Sequence, residues 1–135
     1  MNKIRRTYLI ISLFYFATPA LAAVTTEVMG NFSGECVAYA RSRAPGLPSG
    51  LFSMADKRRI INAKKCKAGS VAIIGNGSVG HVAYVEKCDR DGKKEGITIT
   101  EANWKAGKIT KRKASSGDGL REAERELGIE GYWQR

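Results

Sequence analysis

Histidine is nearly absent from this sequence of 135 residues, which contains only His81, and cysteine occurs three times, as Cys36, Cys66 and Cys88. A zinc site needs several nitrogen, sulfur or carboxylate ligands close together, and one histidine with scattered carboxylates does not supply them. The sequence therefore predicts neither a metal site nor a cofactor. Any chemistry at neutral pH that needs an imidazole must use His81.

A long hydrophobic run is also missing. The most apolar stretch, Tyr8–Phe16, is shorter than the roughly 20 apolar residues of a membrane-spanning helix. Basic residues precede it and the small residues Ala20–Ala22 follow it, which is the layout of a secretory signal peptide. We therefore predict that residues 1–22 are a signal peptide, cleaved after Ala22 or Ala23. A retained membrane anchor is the alternative, and no cysteine follows the site to support a lipoprotein.

Acidic residues are few: the sequence contains 13 Asp and Glu but 23 Lys and Arg, which gives a net charge of +10. Loss of residues 1–22 removes three positive charges and leaves +7. This balance favours an anionic partner, such as nucleic acid, a membrane surface or a cell-wall polymer, without choosing among them. The basic runs 57–59 and 64–67 are either a polyanion-binding patch or a solvated face. With 43% hydrophobic residues and no repeat or linker, residues 23–135 are predicted to form one domain.

The pattern of apolar and polar residues predicts an α+β fold in which helices come first and a small antiparallel β-sheet follows. Residues 23–33 are expected to be extended or irregular. Two helices are expected next, one from Cys36 to about Arg43 and one, capped by Ser53, from about Met54 to Lys64. The later elements are predicted at 70–74, 81–86, 97–100, 105–114 with Ile109 facing inward, Leu120–Leu127 as a helix ended by Gly128, and 129–133.

The segment Gly75–Gly80 has the G-x-G-x-x-G spacing of a dinucleotide-binding loop. That motif requires a helix directly after the glycines, whereas the β-branched stretch His81–Glu86 follows here. The glycines therefore indicate a hairpin loop between two strands, and we predict no nucleotide site.

An odd number of cysteines in an exported protein leaves one of them unpaired. Cys66 lies just before the strand 70–74 and Cys88 just after the strand 81–86. Antiparallel pairing of these two strands would bring both cysteines to the same end. We therefore favour a Cys66–Cys88 disulfide with Cys36 free; the alternative is that all three cysteines are reduced and buried.

Cys36 is predicted to be the first residue of a helix, because a helix-compatible run starts at this position. Backbone N–H groups and the helix dipole stabilise a thiolate in the first turn of a helix, which lowers the thiol pKa. Such a thiolate needs a base, and only His81 offers an imidazole. We therefore hypothesise that Cys36 and His81 meet as nucleophile and base. The alternative is that both are ordinary packing residues.

Two polar residues follow the strand 97–100. Glu101 and Asn103 are two positions apart, so on a continued strand they would face the same side. Both are candidates to point at the site, where a polar group must hold the imidazole. The backbone N–H of Cys36 is a candidate donor for an oxyanion.

Taken together, these segments resemble the CHAP family of cysteine, histidine-dependent amidohydrolases and peptidases, which has a papain-like, NlpC/P60-related fold. The closing Gly131-Tyr132-Trp133 is similar to the terminal strand of that family. The motifs that carry the resemblance are Gly34-x-Cys36-x-x-Tyr39-Ala40, Gly69-Ser70-Val71-Ala72-Ile73, Gly80-His81-Val82-Ala83-x-Val85 and Glu101-x-Asn103.

The resemblance implies hydrolysis of amide bonds in peptidoglycan, either in the stem peptides, in the cross-bridges or at the muramoyl–alanine link. Carried over residue by residue, it makes Cys36 the nucleophile, His81 the base and Glu101 the residue that orients the imidazole. Asn103 matches a polar position close to the site. The expected location is periplasmic or secreted. Expected partners are peptidoglycan and an anionic wall or membrane surface, with secretion or transfer machinery as a further candidate and no specific nucleic acid.

Two other functions stay open at this point. A secreted cysteine protease or small-amide hydrolase would use the same site on a different substrate. A catalytically inactive basic module would use the same fold to bind cell wall, membrane or DNA. An oxidised or unreactive Cys36 would favour the inactive module.

Overall fold

The computed structural model describes residues 23–90, 95–116 and 119–135. The signal peptide predicted at residues 1–22 lies outside the described residues. Among the residues that are described, no helix combines the length and the apolar character needed to cross a membrane.

The described chain has an α+β fold built on one antiparallel sheet, as predicted. Its six strands lie in the order β1-β5-β4-β3-β2-β6. The elements follow one another as β1 (Ala23–Asn31), α1 (Cys36–Arg43), α2 (Met54–Arg59), β2 (Val71–Ile74), β3 (His81–Asp89), β4 (Glu95–Ala102), β5 (Lys108–Ser116), α3 (Leu120–Leu127) and β6 (Ile129–Trp133).

The prediction that helices come first is wrong, because the strand β1 precedes α1. Residues of β1 pair antiparallel with β5, from Ala23 opposite Ser115 to Asn31 opposite Lys108. This pairing gives the backbone of the N-terminal segment hydrogen-bond partners that an irregular stretch would lack. It also places β1 at one edge of the sheet.

Two apolar clusters lie on the sheet, and β2 contributes to both. Successive side chains of a strand point to opposite faces, so Val71 and Ile73 join one cluster while Ala72 and Ile74 join the other. The first cluster also contains Val37 and Ala40 of α1 and Met54 of α2, whereas the second contains Leu120, Ala123 and Leu127 of α3.

Helix α2 begins where the sequence predicts and ends earlier. Ser53 and Asp56 form a capping box, in which each side chain accepts a hydrogen bond from the backbone N–H of the other. The helix stops at Arg59 and not near Lys64. The reason is tertiary, since the N–H groups of residues 62 and 63 donate to the carbonyl oxygen of Tyr132 in β6 and leave the helical ladder.

The hairpin interpretation of the glycine-rich segment is confirmed. β2 and β3 pair antiparallel from Val71 opposite Tyr84 to Ile74 opposite His81, and Gly75–Gly80 connects them. The disulfide between Cys66 and Cys88 is also present, with a Cα–Cα distance of 6.0 Å. Cys36 is free.

Strand β5 turns a different face inward from the one predicted. Thr110, Arg112 and Ala114 are buried, whereas Ile109 is only half-buried. The register with β4 sets this alternation, because Thr110 lies opposite Glu101 and Arg112 lies opposite Ile99. The charged side chain of Arg112 thus faces the interior, whereas the sequence predicted that Ile109 would do so.

Candidate active site

Helix α1 presents Cys36 as its first residue. The N-cap residue is Glu35, which makes no side-chain capping bond, and the first turn contains no acidic residue. Basic residues Arg41 and Arg43 lie in the last turn. The positive end of the helix dipole is therefore not neutralised by a nearby carboxylate in the first turn, and the half-buried Cys36 lies within its reach.

Strand β3 presents His81 as its first residue, directly after the Gly75–Gly80 loop. The His81 side chain is almost fully buried. Its ring interacts electrostatically with the Cys36 side chain, and its Nε2 lies 3.1 Å from Oε1 of Glu101. Because Nε2 faces Glu101, Nδ1 is left to face Cys36.

Strand β4 supplies Glu101, which is completely buried. The carboxylate also binds Arg112 of β5 through both of its oxygens: Nε donates to Oε1 and Oε2 at 3.1 Å each, and Nη2 donates to Oε1 at 2.7 Å. Arg112 lies diagonally across the ladder from Glu101, and a long side chain can span that separation. The two-pronged contact fixes the carboxylate plane.

The side chain of Trp104 packs against both His81 and Arg112. Its ring centroid lies 5.4 Å from that of His81, and Cζ of Arg112 lies 3.5 Å from the centre of the indole. The guanidinium of Arg112 is therefore held between a carboxylate and an aromatic face, an arrangement suited to a planar cation.

Asn103 does not continue the face of Glu101, contrary to the expectation for a strand. β4 ends at Ala102, and Asn103 has a φ of 62° in the left-handed region. Its side-chain amide donates to the carbonyl of Gly34 at 2.7 Å, and its oxygen accepts from the N–H of Gly107 at 2.9 Å. Asn103 thus fastens the turn after β4 to the segment that leads into α1, and it lines the cavity described next.

A cavity of about 330 Å³ opens beside Cys36 and His81. The largely exposed side chains of Phe52 and Val79 line it, and so does the deeply buried Lys57. The cavity thus offers apolar surface, an ammonium group and the thiol–imidazole pair within one space. Within the described part of the chain, no three histidine, cysteine or carboxylate side chains gather into a group that could hold a metal ion.

Burial and local charges oppose each other at Cys36 and His81. Burial by itself raises the pKa of Cys36, but the hydrogen bond and charge of His81, the N–H of Val82 and the charge of Lys57 outweigh it, so the pKa lies below its ordinary value. Burial lowers the pKa of His81, but hydrogen bonds to Cys36 and Glu101 and their charges raise it overall. Both shifts favour a thiolate paired with an imidazolium.

The structure brings the predicted site residues together: Cys36, His81 and Asn103 line one cavity, and His81 contacts Glu101 behind it. Sequence reasoning missed Arg112, Trp104 and Lys57. Lys57 had a detectable signal, because it lies one helical turn after the buried Met54 and so shares its face. Arg112 and Trp104 had no local sequence signal, since their roles depend on the register of β5 against β4.

The family relationship rests on the sequence match. Comparison with curated proteins and with solved structures gives no match. The model of the CHAP domain matches residues 26–103, which is more than half of the chain. The matched segment includes Cys36, His81, Glu101 and Asn103 and ends before Arg112. The chain therefore belongs to the CHAP family, whose members are broadly cysteine- and histidine-dependent amidohydrolases and peptidases that act on peptidoglycan.

Proposed function

We propose that the protein is an exported amidohydrolase or endopeptidase that hydrolyses amide bonds of peptidoglycan. Cys36 serves as nucleophile, His81 as acid and base, and Glu101 as the residue that orients the imidazole. The observation that carries the proposal is that Cys36 and His81 line one cavity, with Nε2 of His81 3.1 Å from the buried carboxylate of Glu101.

In the first half of the reaction, the Cys36 thiolate attacks the carbonyl carbon of the scissile amide. The negative charge moves to the carbonyl oxygen, where the uncapped N–H groups of the first turn of α1 are candidate donors. The C–N bond then breaks, and the amine leaves with the proton that His81 carried. The acyl group remains on Cys36 as a thioester.

In the second half, neutral His81 takes a proton from a water molecule, and the resulting hydroxide attacks the thioester carbonyl. Collapse of the tetrahedral intermediate breaks the C–S bond and releases the carboxylic acid. The thiolate and the imidazolium are restored. Glu101 accepts a hydrogen bond from Nε2–H throughout, which holds the ring with Nδ1 towards Cys36.

We propose a periplasmic or secreted location for the mature protein. The predicted signal peptide supports export, and the Cys66–Cys88 disulfide fits an oxidising compartment. The net charge of +7 that remains after loss of residues 1–22 would attract the protein to an anionic wall or membrane surface. Targeting in this view needs no specific contact with nucleic acid.

The deciding experiment compares the purified protein with its Cys36→Ala variant on intact peptidoglycan, and analyses the soluble fragments by mass spectrometry. We expect fragments from the wild type, whose masses identify the bond, and a loss of at least about 10³-fold in the variant. A thermal melt of the variant close to that of the wild type is the control for folding. Residual hydrolysis by a folded Cys36→Ala protein would overturn the assignment of the nucleophile.

Other outcomes would favour the alternative functions. Cleavage of unrelated peptides but not of peptidoglycan would indicate a secreted protease or small-amide hydrolase. No fragments together with a Cys36 that resists alkylation at neutral pH would indicate the inactive binding module.

A further inference from the structure

Lys57 is an unusual residue in this cavity. Its side chain is only 2% exposed, and its Nζ donates to the carbonyl oxygen of Val79 at 2.7 Å. An ammonium has three N–H donors, and among the described residues no carboxylate forms an ion pair with Lys57. A lysine buried this deeply normally has an acidic partner.

The fold holds Lys57 firmly in this position. It shares the buried face of α2 with Met54, and the side chains of both lie against Gly80, the residue before His81. The exposed basic residues that follow it, Arg58 and Arg59, instead form ion pairs with Glu130 and Asp56. Lys57 is therefore separated from the solvated basic face and lines the same cavity as Cys36 and His81.

Among the described residues that line the cavity, Glu35 is the acidic one. Glu35 is exposed to solvent, where water and salt screen its charge, whereas the charge of Lys57 lies in a water-poor environment and acts more strongly. The charge of Lys57 is therefore poorly compensated by Glu35 within the cavity.

We infer that Lys57 determines specificity by binding a carboxylate of the substrate, so that the protein prefers amides that carry a free carboxylate within about one residue of the scissile bond. This inference rests on the proposed function for its substrate, since peptidoglycan stem peptides bear free carboxylates. The spare N–H donors of Lys57 would form charge-assisted hydrogen bonds with that group. Amidation of the carboxylate would remove the preference.

The test uses two alkylating reagents that differ only in charge, N-bromoacetylglycine and its carboxamide. Both react with the same Cys36 thiolate through the same cavity, so the ratio of their rates cancels any change in thiol pKa or in cavity access. The anionic reagent carries its carboxylate one residue beyond the reacting carbon. We expect the anionic-to-neutral ratio to fall about tenfold from the wild type to Lys57→Met.

The matched control is Lys64→Met, which removes the same charge from an exposed position and should leave the ratio unchanged. Lys57→Gln serves as a second variant, because its amide can still donate to the Val79 carbonyl if Lys57→Met fails to fold. Thermal melts show which variants are folded. The same ratio in the wild type and in a folded Lys57 variant would overturn the inference.

The outcome is independent of hydrolytic activity. A protein that releases no peptidoglycan fragments but shows the Lys57-dependent ratio would disprove the proposed substrate and retain the carboxylate site. Hydrolysis of peptidoglycan with no effect of Lys57 on the ratio would do the reverse.

Discussion

Glu101 is shared between two cationic partners in the buried part of the site. Arg112 occupies both of its oxygens, while one of them also faces Nε2 of His81. Removal of one partner from a buried ion pair leaves an uncompensated charge and destabilises a protein by about 3–5 kcal/mol. Arg112 is therefore a positioning residue: it holds the group that holds His81, and it does not itself touch Cys36.

We predict that Arg112→Lys keeps the positive charge but no longer holds Glu101 in its orientation. A lysine cannot form the two-pronged contact, so Glu101 would orient His81 less well and the pKa of Cys36 would move up towards its ordinary value. The measurement is the rate of Cys36 alkylation by iodoacetamide against pH. The wild type should react as a thiolate below the pH range of an ordinary thiol, and the variant should need a higher pH.

Arg121→Lys is the matched control, because Arg121 is exposed on α3. A loss of stability alone would not shift the pH profile of a folded protein. An unchanged profile in Arg112→Lys would show that Arg112 acts only in folding.

Residues with a local signal could be predicted from the sequence, and those placed by strand register could not. Cys36 follows a helix-start pattern, and His81 is the only imidazole in the chain, so both could be identified without a structure. Arg112 lies in a basic segment of alternating exposure, where a shift of one residue exchanges the buried and exposed sets. Only the pairing of Ile99 with Arg112 decides which set faces Glu101.

At the scale of elements, α2 and the Gly75–Gly80 loop together position His81. Gly80 has a φ of 71°, and a Cβ at this position would overlap Sδ of Met54 and lie 3.2 Å from Cδ of Lys57. Two features thus require glycine at this position: the left-handed backbone conformation and the close approach of α2.

We predict that Gly80→Ala destabilises the protein by more than Gly77→Ala. Both residues have positive φ, which costs alanine about 1–2 kcal/mol, but nothing lies within 4 Å of a Cβ at Gly77. Overpacking against α2 should add about 1–3 kcal/mol in Gly80→Ala and displace His81. Urea denaturation measures the stability and Cys36 alkylation reports on His81. Equal effects of the two substitutions would contradict the close packing of α2 on the loop.

The elements were easier to predict than their ends. Local signals such as the Ser53 cap and Gly128 place the starts or stops of helices correctly. The early end of α2 at Arg59 depends instead on the carbonyl of Tyr132, about 70 residues away in the sequence. Residues 23–33 were predicted only as extended or irregular because the partner of β1 is β5, which lies further still along the chain.

At the scale of the whole molecule, the disulfide joins the segment before β2 to the end region of β3. Its two cysteines are 22 residues apart, and closing a loop of that length stabilises a folded chain by about 3 kcal/mol in the chain-entropy model. The bond does not involve Cys36, which remains free.

We predict that the Cys66→Ala/Cys88→Ala double variant and the reduced wild type are both less stable than the oxidised protein by about 3 kcal/mol. Urea denaturation with and without reductant measures this difference. Under non-reducing conditions, thiol titration of the denatured wild type should find one thiol per chain. A reductant that leaves the unfolding midpoint unchanged would contradict the prediction.

The order of the strands has a consequence for the boundaries of the CHAP match, which ends at residue 103. The segment beyond it contributes β5, which joins β1 to β4, and β6, which pairs with β2. It also supplies α3 to one apolar cluster and Trp133 to the other. The matched segment alone is therefore not an autonomous folding unit: excised at residue 103, it would leave β1 detached, both faces of β2 short of partners and Glu101 without its guanidinium.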